Sequence, residues 1–304
     1  EGPAADLGAV VIHPRLYHIQ AVAFEHDRLS WTVLDESIRP DFEALAKVAE
    51  GDYQIVSRDD ADETWLILYN SDKKPASYYS YSRKTKKAEF LFSTRPKLDG
   101  YVLSPMKPVV ITARDGLKLQ SYLTTPAGVS AQGLPLILNV HGGPWVRDIW
   151  GYHPEAQWLA NLGYAVLQVN YRGSVGFGKK FLHAGDKEWG AKMQDDLTDA
   201  VAWAIAEKIA DPKRIAIYGG SYGGYAALAG AAFTPDLYAC AVDIVGPSNI
   251  ATLIKSIPPY WEPLRRIFDL RVGNVDTELD FLNERSPLFK AHQIKIPLLI
   301  AQGA

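Results

Sequence analysis

One short motif, Gly219-Gly-Ser-Tyr-Gly223, constrains this sequence more than any other feature. It directly follows an apolar run at 214–218 that is typical of a buried strand, and it precedes an alanine-rich stretch at 225–232 that favours a helix. A serine between glycines in this arrangement lies on a tight, strained turn with its hydroxyl above the sheet. Small neighbours let the strand and the helix approach each other closely. The pattern therefore predicts Ser221 as a nucleophile next to the N-terminus of a helix, where amides can stabilise a developing oxyanion.

A second glycine turn, His141-Gly-Gly-Pro144, follows another apolar run at 134–140. In α/β-hydrolases, a turn of this kind supplies one of the two amides that bind the oxyanion, and the residue after the nucleophile supplies the other. The sequence therefore predicts an oxyanion hole formed by the amides of Tyr222 and Gly143, with Gly142 as the alternative to Gly143. Glycine is favoured in this turn because a side chain would block the approach of a substrate to the backbone.

The two parts of the chain differ in their strand pattern. Residues 1–107 have short strands separated by polar turns, as in an antiparallel propeller blade or a small sandwich, and they end in a turn-rich linker. From residue 108 to 304 strands alternate with helices, which is typical of a largely parallel sheet. The predicted strands lie at 53–57, 64–69, 77–81, 88–92, 109–113, 117–123, 134–140, 165–169, 214–218, 239–245 and 297–301, the predicted helices at 41–49, 193–207 and 225–232, and the linker at 93–100 with 104–108.

These motifs resemble the prolyl oligopeptidase family of serine peptidases, and most of all its acylaminoacyl-peptidase-like bacterial branch. The resembling segments are 141–144, 171–178, 188–190, 194–196 and 219–225. The resemblance implies an α/β-hydrolase domain at 108–304, preceded at 1–107 by the last one or two blades of a β-propeller that restricts entry to short peptides. It also implies peptide cleavage by acyl transfer through the serine, with no cofactor and no metal.

The rest of the catalytic triad is expected outside residues 1–304. In this fold the order is Ser, then Asp or Glu, then His, and the resemblance places the acid just after the strand at 297–301. The hydrolase domain is therefore predicted to be incomplete at its C-terminus. Residues 1–304 alone are expected to lose on the order of 10⁶ in kcat.

Asp243 and Asp269 do not follow the strand that carries the triad acid. The histidines that we interpret as packing or surface residues are His13, His18, His26, His153, His183 and His292, while His141 belongs to the oxyanion turn.

Composition excludes several classes of protein. The net charge of −3 provides no basic field for nucleic acid or an anionic membrane. No apolar run reaches the ~18 residues of a membrane span. A single cysteine, Cys240, rules out an intrachain disulfide. We expect short peptides as partners and a cytoplasmic or periplasmic location, and the sequence is compatible with a homo-oligomer.

Other interpretations remain open at this point. A carboxylesterase would need the same nucleophile and oxyanion hole, and without its triad partners the chain could act only as a binding module. The segment 173–180 nearly matches a phosphate-binding loop, but Lys180 occupies the position of the metal-binding hydroxyl and no helix is expected to start at Lys179.

Asp195, Asp196 and Asp199 are interpreted as a solvated helix face. The segment 247–290 is expected to cover the active site, with Tyr260, Trp261 and Trp145 as candidates for the substrate pocket.

Overall fold

The structure, a computed structural model, describes residues 5–303. The strands in this range are β1 (Leu7–Ile12), β2 (Ile19–Glu25), β3 (Leu29–Val33), β4 (Asp52–Arg58), β5 (Thr64–Asn70), β6 (Ser77–Ser82), β7 (Lys87–Ser93), β8 (Met106–Thr112), β9 (Lys118–Thr124), β10 (Leu134–Val140), β11 (Ala165–Val169), β12 (Ala210–Gly220), β13 (Cys240–Ile244) and β14 (Leu298–Ala301). The helices are α1 (Arg39–Leu45), α2 (Pro154–Asn161), α3 (Gly178–His183), α4 (Lys192–Ala206), α5 (Tyr222–Phe233), α6 (Ile250–Ser256), α7 (Glu262–Arg271) and α8 (Leu279–Glu284). Short 3₁₀ segments lie at Glu36–Ile38, Pro96–Leu98, Pro259–Trp261 and Pro287–Gln293.

The N-terminal part consists of two antiparallel sheets. One has the order β1-β2-β3 and the other, with four strands in sequence order, is built like a propeller blade. Helix α1 packs its buried Phe42 and Leu45 against Trp65 and Tyr81 of the four-stranded sheet. Trp65, Tyr69 and Tyr81 of β5 and β6 are buried, whereas Phe90 and Phe92 of β7 are more than half exposed.

The C-terminal part is built on a seven-stranded sheet of order β14-β13-β12-β10-β11-β9-β8. The five strands from β14 to β11 are parallel. Strand β9 is antiparallel to β11, and the edge strand β8 is antiparallel to β9. Strand β8 starts at Met106, so Lys107 and Pro108, which were assigned to the linker, belong to the sheet. Proline is tolerated there because β8 is an edge strand and its outer side needs no N–H donor.

The strand order reverses direction at β10, which lies between β11 and β12. The chain leaves β10 through α2 to β11 on one side and returns through α4 to β12 on the other. In open α/β sheets ligands bind at the carboxyl ends of the strands where the order reverses. The turns after β10 and β12 meet at this point, because Val140 and Gly219 are paired in register.

Two interpretations of charged segments were wrong. Asp196 is not solvated: it is fully buried and forms an ion pair with Arg172 at 2.7 Å, whereas Asp195 and Asp199 pair with Arg114 at the surface. A six-residue helix, α3, does start at Gly178, where no helix was expected. Both errors involve contacts between residues that are distant in the sequence. Asp196 pairs with Arg172, and the amide of Gly178 donates to the carboxylate of Asp6.

No helix within residues 5–303 is long and apolar enough to cross a membrane.

Candidate active site

Ser221 lies between the end of β12 and the start of α5, on a turn with unusual backbone geometry. Its dihedral angles are φ 57° and ψ −116°, a region that a non-glycine residue occupies only when its surroundings impose it. Its amide donates to the carbonyl of Ile244 at 2.8 Å, which holds the turn on β13. The serine side chain is exposed and faces a cavity.

Glycine is required on both sides of this turn because the backbones approach each other too closely for a side chain. A Cβ on Gly219 would lie 2.5 Å from the carbonyl carbon of Gly223, and a Cβ on Gly223 would lie 2.1 Å from the carbonyl oxygen of Val140. Both distances are shorter than any real contact. The glycines of the motif therefore bring the N-terminus of α5 directly against the end of β10.

The predicted oxyanion-hole residues lie around Ser221. Tyr222 is the first residue of α5, so its amide is among those that a helix leaves unpaired, and it lies at the positive end of the helix dipole. A Cβ on Gly142 would be 3.5 Å from Cβ of Ser221, which places the glycine turn beside the serine. Gly143 lines the same cavity as Ser221 and Tyr222. Within residues 5–303, the amides of Tyr222 and Gly143 have no hydrogen-bond acceptor.

The His141 ring supports the glycine turn from behind. Its Nδ1 lies 2.8 Å from the carbonyl oxygen of Gly142, and its Nε2 lies 3.1 Å from Oγ of Ser174. The ring stacks on Tyr171 at 4.4 Å between centroids, and the Tyr171 hydroxyl donates to the carbonyl of His141 at 2.9 Å. Burial raises the pKa of Tyr171 well above its usual value, so this hydroxyl stays protonated and remains a donor. These contacts hold the ring against the glycine turn and Tyr171.

The cavity in front of Ser221 has a volume of about 850 Å³. Its walls are mostly apolar and come from α5, from the 3₁₀ segment Pro287–Gln293 and from the segment 247–290 that was expected to cover the site. The side chains that define its apolar part are Trp189, Leu228, Leu253, Phe268 and Leu288.

Beneath the cavity, Asp243 holds the turn that follows β13. Its Oδ1 accepts from the amide of Gly246 at 2.7 Å, and the side chain is buried. Burial raises the pKa of the Asp243 carboxyl, with the Gly246 amide opposing the shift. The next residue in the cavity wall, Val245, has φ 52°, which is exceptional for a β-branched side chain. Sequence reasoning weighed Asp243 only as a triad acid and missed this contact, which depends on backbone geometry.

The aromatic residues proposed for the pocket lie elsewhere. Tyr260 and Trp261 are 79% and 52% exposed, and neither lines the cavity. Trp145 packs edge-on against Phe268 at 5.4 Å between centroids, so it supports the cavity wall from outside. The cavity is instead lined by residues of α5 to α7 whose side chains the sequence pattern did not single out.

Within residues 5–303, no side chain forms a hydrogen bond with the Ser221 hydroxyl. His153 caps α2 through its Nδ1, and His183 pairs with Asp186 at 2.8 Å. His292 lies near the end of the 3₁₀ segment Pro287–Gln293 and is exposed. No group of three or more His, Cys, Asp or Glu side chains in this range is placed to hold a metal ion.

Several curated proteins are similar to this chain in sequence. Among curated proteins, dipeptidyl aminopeptidase BIII of Pseudoxanthomonas mexicana is 48% identical over the whole of this chain, which covers 45% of that protein. Dipeptidyl peptidase family member 6 of Caenorhabditis elegans is 40% identical over 99% of this chain and is covered to 44%. The chain thus spans a little under half the length of these relatives. Acylamino-acid-releasing enzymes, including that of Arabidopsis thaliana, are 30% identical or less over shorter segments.

Solved structures show the same fold. A puromycin-hydrolyzing peptidase of Mycobacterium tuberculosis superposes on the whole chain with a TM-score of 0.81 at 23% identity, and 47% of it is covered. Acylaminoacyl peptidase of Pyrococcus horikoshii superposes on 97% of the chain with a TM-score of 0.75 at 24% identity, and 46% of it is covered. The predicted fold, an α/β-hydrolase domain preceded by strands of a β-propeller, is confirmed. Residues 150–304 match the sequence profile described as the prolyl oligopeptidase family. Since this match includes half of the sequence, the chain belongs to the prolyl oligopeptidase family.

Proposed function

We propose that this chain carries the nucleophile and the oxyanion hole of a serine peptidase that cleaves short peptides. The observation that carries the proposal is the position of Ser221. It sits on a strained turn at the N-terminus of α5, next to the glycine turn 141–144 and open to a cavity of about 850 Å³. The names of the relatives, which include dipeptidyl aminopeptidase and acylaminoacyl peptidase, support peptide substrates.

The reaction is an acyl transfer in two steps. Oγ of Ser221 attacks the carbonyl carbon of the scissile bond and passes its proton to a general base, which then protonates the leaving amine. The negative charge that develops on the carbonyl oxygen is met by the amides of Tyr222 and Gly143. Water attacks the resulting ester and releases the acid, and the proton returns to Ser221. The base and its orienting carboxylate are supplied from outside residues 5–303.

The cavity favours an apolar side chain of the substrate. Trp189, Leu253, Phe268 and Leu288 contribute to its apolar lining. An uncharged side chain buried there would gain roughly 25 cal/mol for each Å² removed from water. Within the described residues, Asp243 is the only acidic side chain of the lining, and no basic side chain lines the cavity.

The decisive experiment compares three substrates on the full-length protein: a dipeptide anilide with a free amine, its N-acetylated twin and a p-nitrophenyl ester. Cleavage of an anilide that is lost in Ser221→Ala would support a peptidase, and the two anilides report whether the N-terminus must be free or acylated. Ser248→Ala is the matched control, because Ser248 lines the same cavity. Cleavage of the ester alone would assign a carboxylesterase, and anilide cleavage that survives Ser221→Ala would overturn the proposal.

A further inference from the structure

The segment that carries Gly143 is anchored far from the active site. We call residues 141–150, between β10 and α2, the oxyanion loop. Halfway along it, the guanidinium of Arg147 reaches the turn between β2 and β3 in the N-terminal part. Nη1 donates to the carbonyl of Glu25 at 2.5 Å and Nη2 donates to the carbonyl of His26 at 2.7 Å. The two bonds use the fork of the guanidinium, which a lysine cannot reproduce.

The guanidinium is enclosed on its remaining sides. It lies 4.2 Å from the centroid of the Phe177 ring, a cation–π distance. A Cβ on Gly176 would come within 2.6 Å of Nη1, so this position leaves no room for a side chain. The amide of Val175 donates to the carbonyl of Val146 at 3.1 Å, which ties the oxyanion loop to this neighbouring segment as well. These neighbours restrict the conformations that the half-buried Arg147 side chain can adopt.

A second contact joins the same two regions at the end of the oxyanion loop. The guanidinium of Arg28 lies 3.3 Å from the centroid of the Trp150 ring and pairs with Asp52 at 2.7 Å. Trp150 in turn donates from Nε1 to the carbonyl of Met106 at 2.8 Å. The turn at 25–28 thus contacts the oxyanion loop at two points, three residues apart.

Another contact joins the N-terminal part to the hydrolase domain without involving the oxyanion loop. Oδ2 of Asp6 accepts a hydrogen bond from the amide of Gly178 at 3.1 Å. Loss of this bond loosens the N-terminal part from the hydrolase domain but leaves both hydrogen bonds of Arg147 in place. This difference provides a matched control.

We propose that Arg147 is a positioning residue for the oxyanion hole: it ties the loop that carries Gly143 to the 25–28 turn of the N-terminal part. Only three residues separate Arg147 from Gly143, so a displacement of the guanidinium moves the Gly143 amide. The acceptors are the backbone carbonyls of Glu25 and His26. The position of the N-terminal sheets, and not the side chains of the turn, therefore determines the position of the Gly143 amide. This inference rests on the proposed serine peptidase function.

The test compares Arg147→Met, Arg147→Lys and the control Asp6→Ala in the full-length protein. Each variant is assayed for kcat and KM on a peptide anilide. Each is also assayed for binding of a peptide aldehyde, which forms an oxyanion with the serine, and of the corresponding alcohol, which does not. We expect both Arg147 variants to lower kcat roughly ten- to a hundredfold, because the loss of one oxyanion donor costs about 10²–10³ and a displaced donor costs less. KM and alcohol binding should change by less than about threefold, and aldehyde binding should weaken in parallel with kcat.

Asp6→Ala should retain the kcat and the aldehyde affinity of the wild type. The inference is overturned if Arg147→Met leaves kcat unchanged, or if Asp6→Ala lowers kcat as much, since the effect would then be a general loosening of the two parts. An active wild type whose turnover survives Ser221→Ala would instead overturn the proposed function itself. Far-UV circular dichroism and a melting temperature for each variant separate these outcomes from loss of folding.

Discussion

At the scale of single residues, one peptide group connects His141 to the chemistry. Nδ1 of His141 lies 2.8 Å from the carbonyl oxygen of Gly142, and the N–H of Gly143 belongs to the same peptide plane. In a planar trans peptide the C=O and the N–H point in opposite directions, so a group that holds the carbonyl also sets the direction of the amide. The imidazole therefore aims the donor that we assign to the oxyanion hole.

This arrangement predicts different effects for two substitutions of His141. His141→Phe keeps the stacking on Tyr171 at 4.4 Å but removes the hydrogen bond to Gly142, so kcat on a peptide anilide should fall about tenfold with little change in KM. His141→Asn places an amide nitrogen near the position of Nδ1 and should recover most of the activity. A His141→Phe variant as active as the wild type, with the loss confined to His141→Asn, would show that the ring acts by packing alone.

A second residue-scale prediction concerns the close approach of α5 to β10. Gly223→Ala places a methyl group 2.1 Å from the carbonyl oxygen of Val140, so it should lower the free energy of unfolding by at least 1–3 kcal/mol, although alanine is the better helix former by ~1 kcal/mol. Gly220→Ala is the control, because its Cβ would meet nothing closer than 3.8 Å. Urea unfolding of both variants measures the difference, and a Gly223→Ala variant as stable as the wild type would contradict the geometry.

At the scale of elements, Arg172 joins three parts of the hydrolase domain. It bonds to Asp196 on α4 through its backbone amide, Nε and Nη2 at 2.7–2.9 Å, and to Asp115 in the turn between β8 and β9 at 2.8 Å and 3.1 Å. Asp196 and Arg172 are both buried, whereas Asp115 is partly exposed. Truncating one member of a buried pair leaves the other charge uncompensated, so Asp196→Asn should cost about 3–5 kcal/mol in unfolding free energy. Chemical denaturation of the variant at neutral pH measures this cost, and a loss below 1 kcal/mol would contradict it.

The partly exposed partner predicts a pH dependence. The hydrogen bonds from Arg172 lower the pKa of Asp115 to about 2, so its carboxylate stabilises the folded state above the pKa of ~3.9 that it has in the unfolded chain. This contribution is lost as the pH falls from about 4 towards 2. Asp115→Asn should therefore be less stable than the wild type at pH 7, and the difference should shrink below pH 4. Asp60→Asn, at an exposed carboxylate, should show no such trend, and a pH-independent gap for Asp115→Asn would exclude this cause.

These elements also show what could be predicted from the sequence. The strands β10 and β12 and the helix α5 were predicted because their apolar patterns and glycine turns are local. Every predicted strand is present, with ends that differ by at most four residues. The burial of Asp196 could not be predicted, because its partner lies 24 residues earlier and no pattern links the two. Likewise, the exposure of Tyr260 depends on how the segment 247–290 packs, which periodicity does not determine.

At the scale of the whole molecule, the N-terminal sheets contact the hydrolase domain through polar groups at a partly buried boundary. Asn70 donates to the carbonyl of Trp150 at 3.2 Å, Gln157 donates to the carbonyl of Asp72 at 3.0 Å, and the amide of Met106 donates to Asp72 at 2.8 Å. Contacts of this kind orient the two parts relative to each other. These contacts could not be predicted from the sequence, because the residues that form them are 34 to 85 positions apart.

Glu25 provides a pH-dependent test of this boundary. Burial raises the pKa of its carboxyl, and the favourable charge of Arg147 offsets this only in part. The folded state therefore binds the proton more tightly than the unfolded chain, so ionisation of Glu25 costs stability once the pH exceeds the pKa of ~4.3 in the unfolded chain. Glu25→Gln removes that charge while keeping the shape of the side chain, and the backbone carbonyl that accepts from Arg147 remains. We expect the variant to match the wild type near pH 4 and to be the more stable of the two at pH 7–8, as measured by melting temperature across this range.

Glu89→Gln is the control for the Glu25 experiment, because Glu89 is an exposed residue of the same N-terminal part, and its replacement should leave the melting temperature unchanged throughout. A Glu25→Gln variant that is less stable than the wild type at pH 7–8 would mean that the attraction to Arg147 outweighs the cost of burial. The side chain of the 25–28 turn, and not only its carbonyls, would then hold the oxyanion loop. If the variant is more stable and keeps its kcat, the Glu25 carboxylate is a partly buried charge that destabilises the folded state and contributes nothing to catalysis. The bonds of Arg147 to the backbone carbonyls, and not the Glu25 side chain, would then hold the oxyanion loop on the turn.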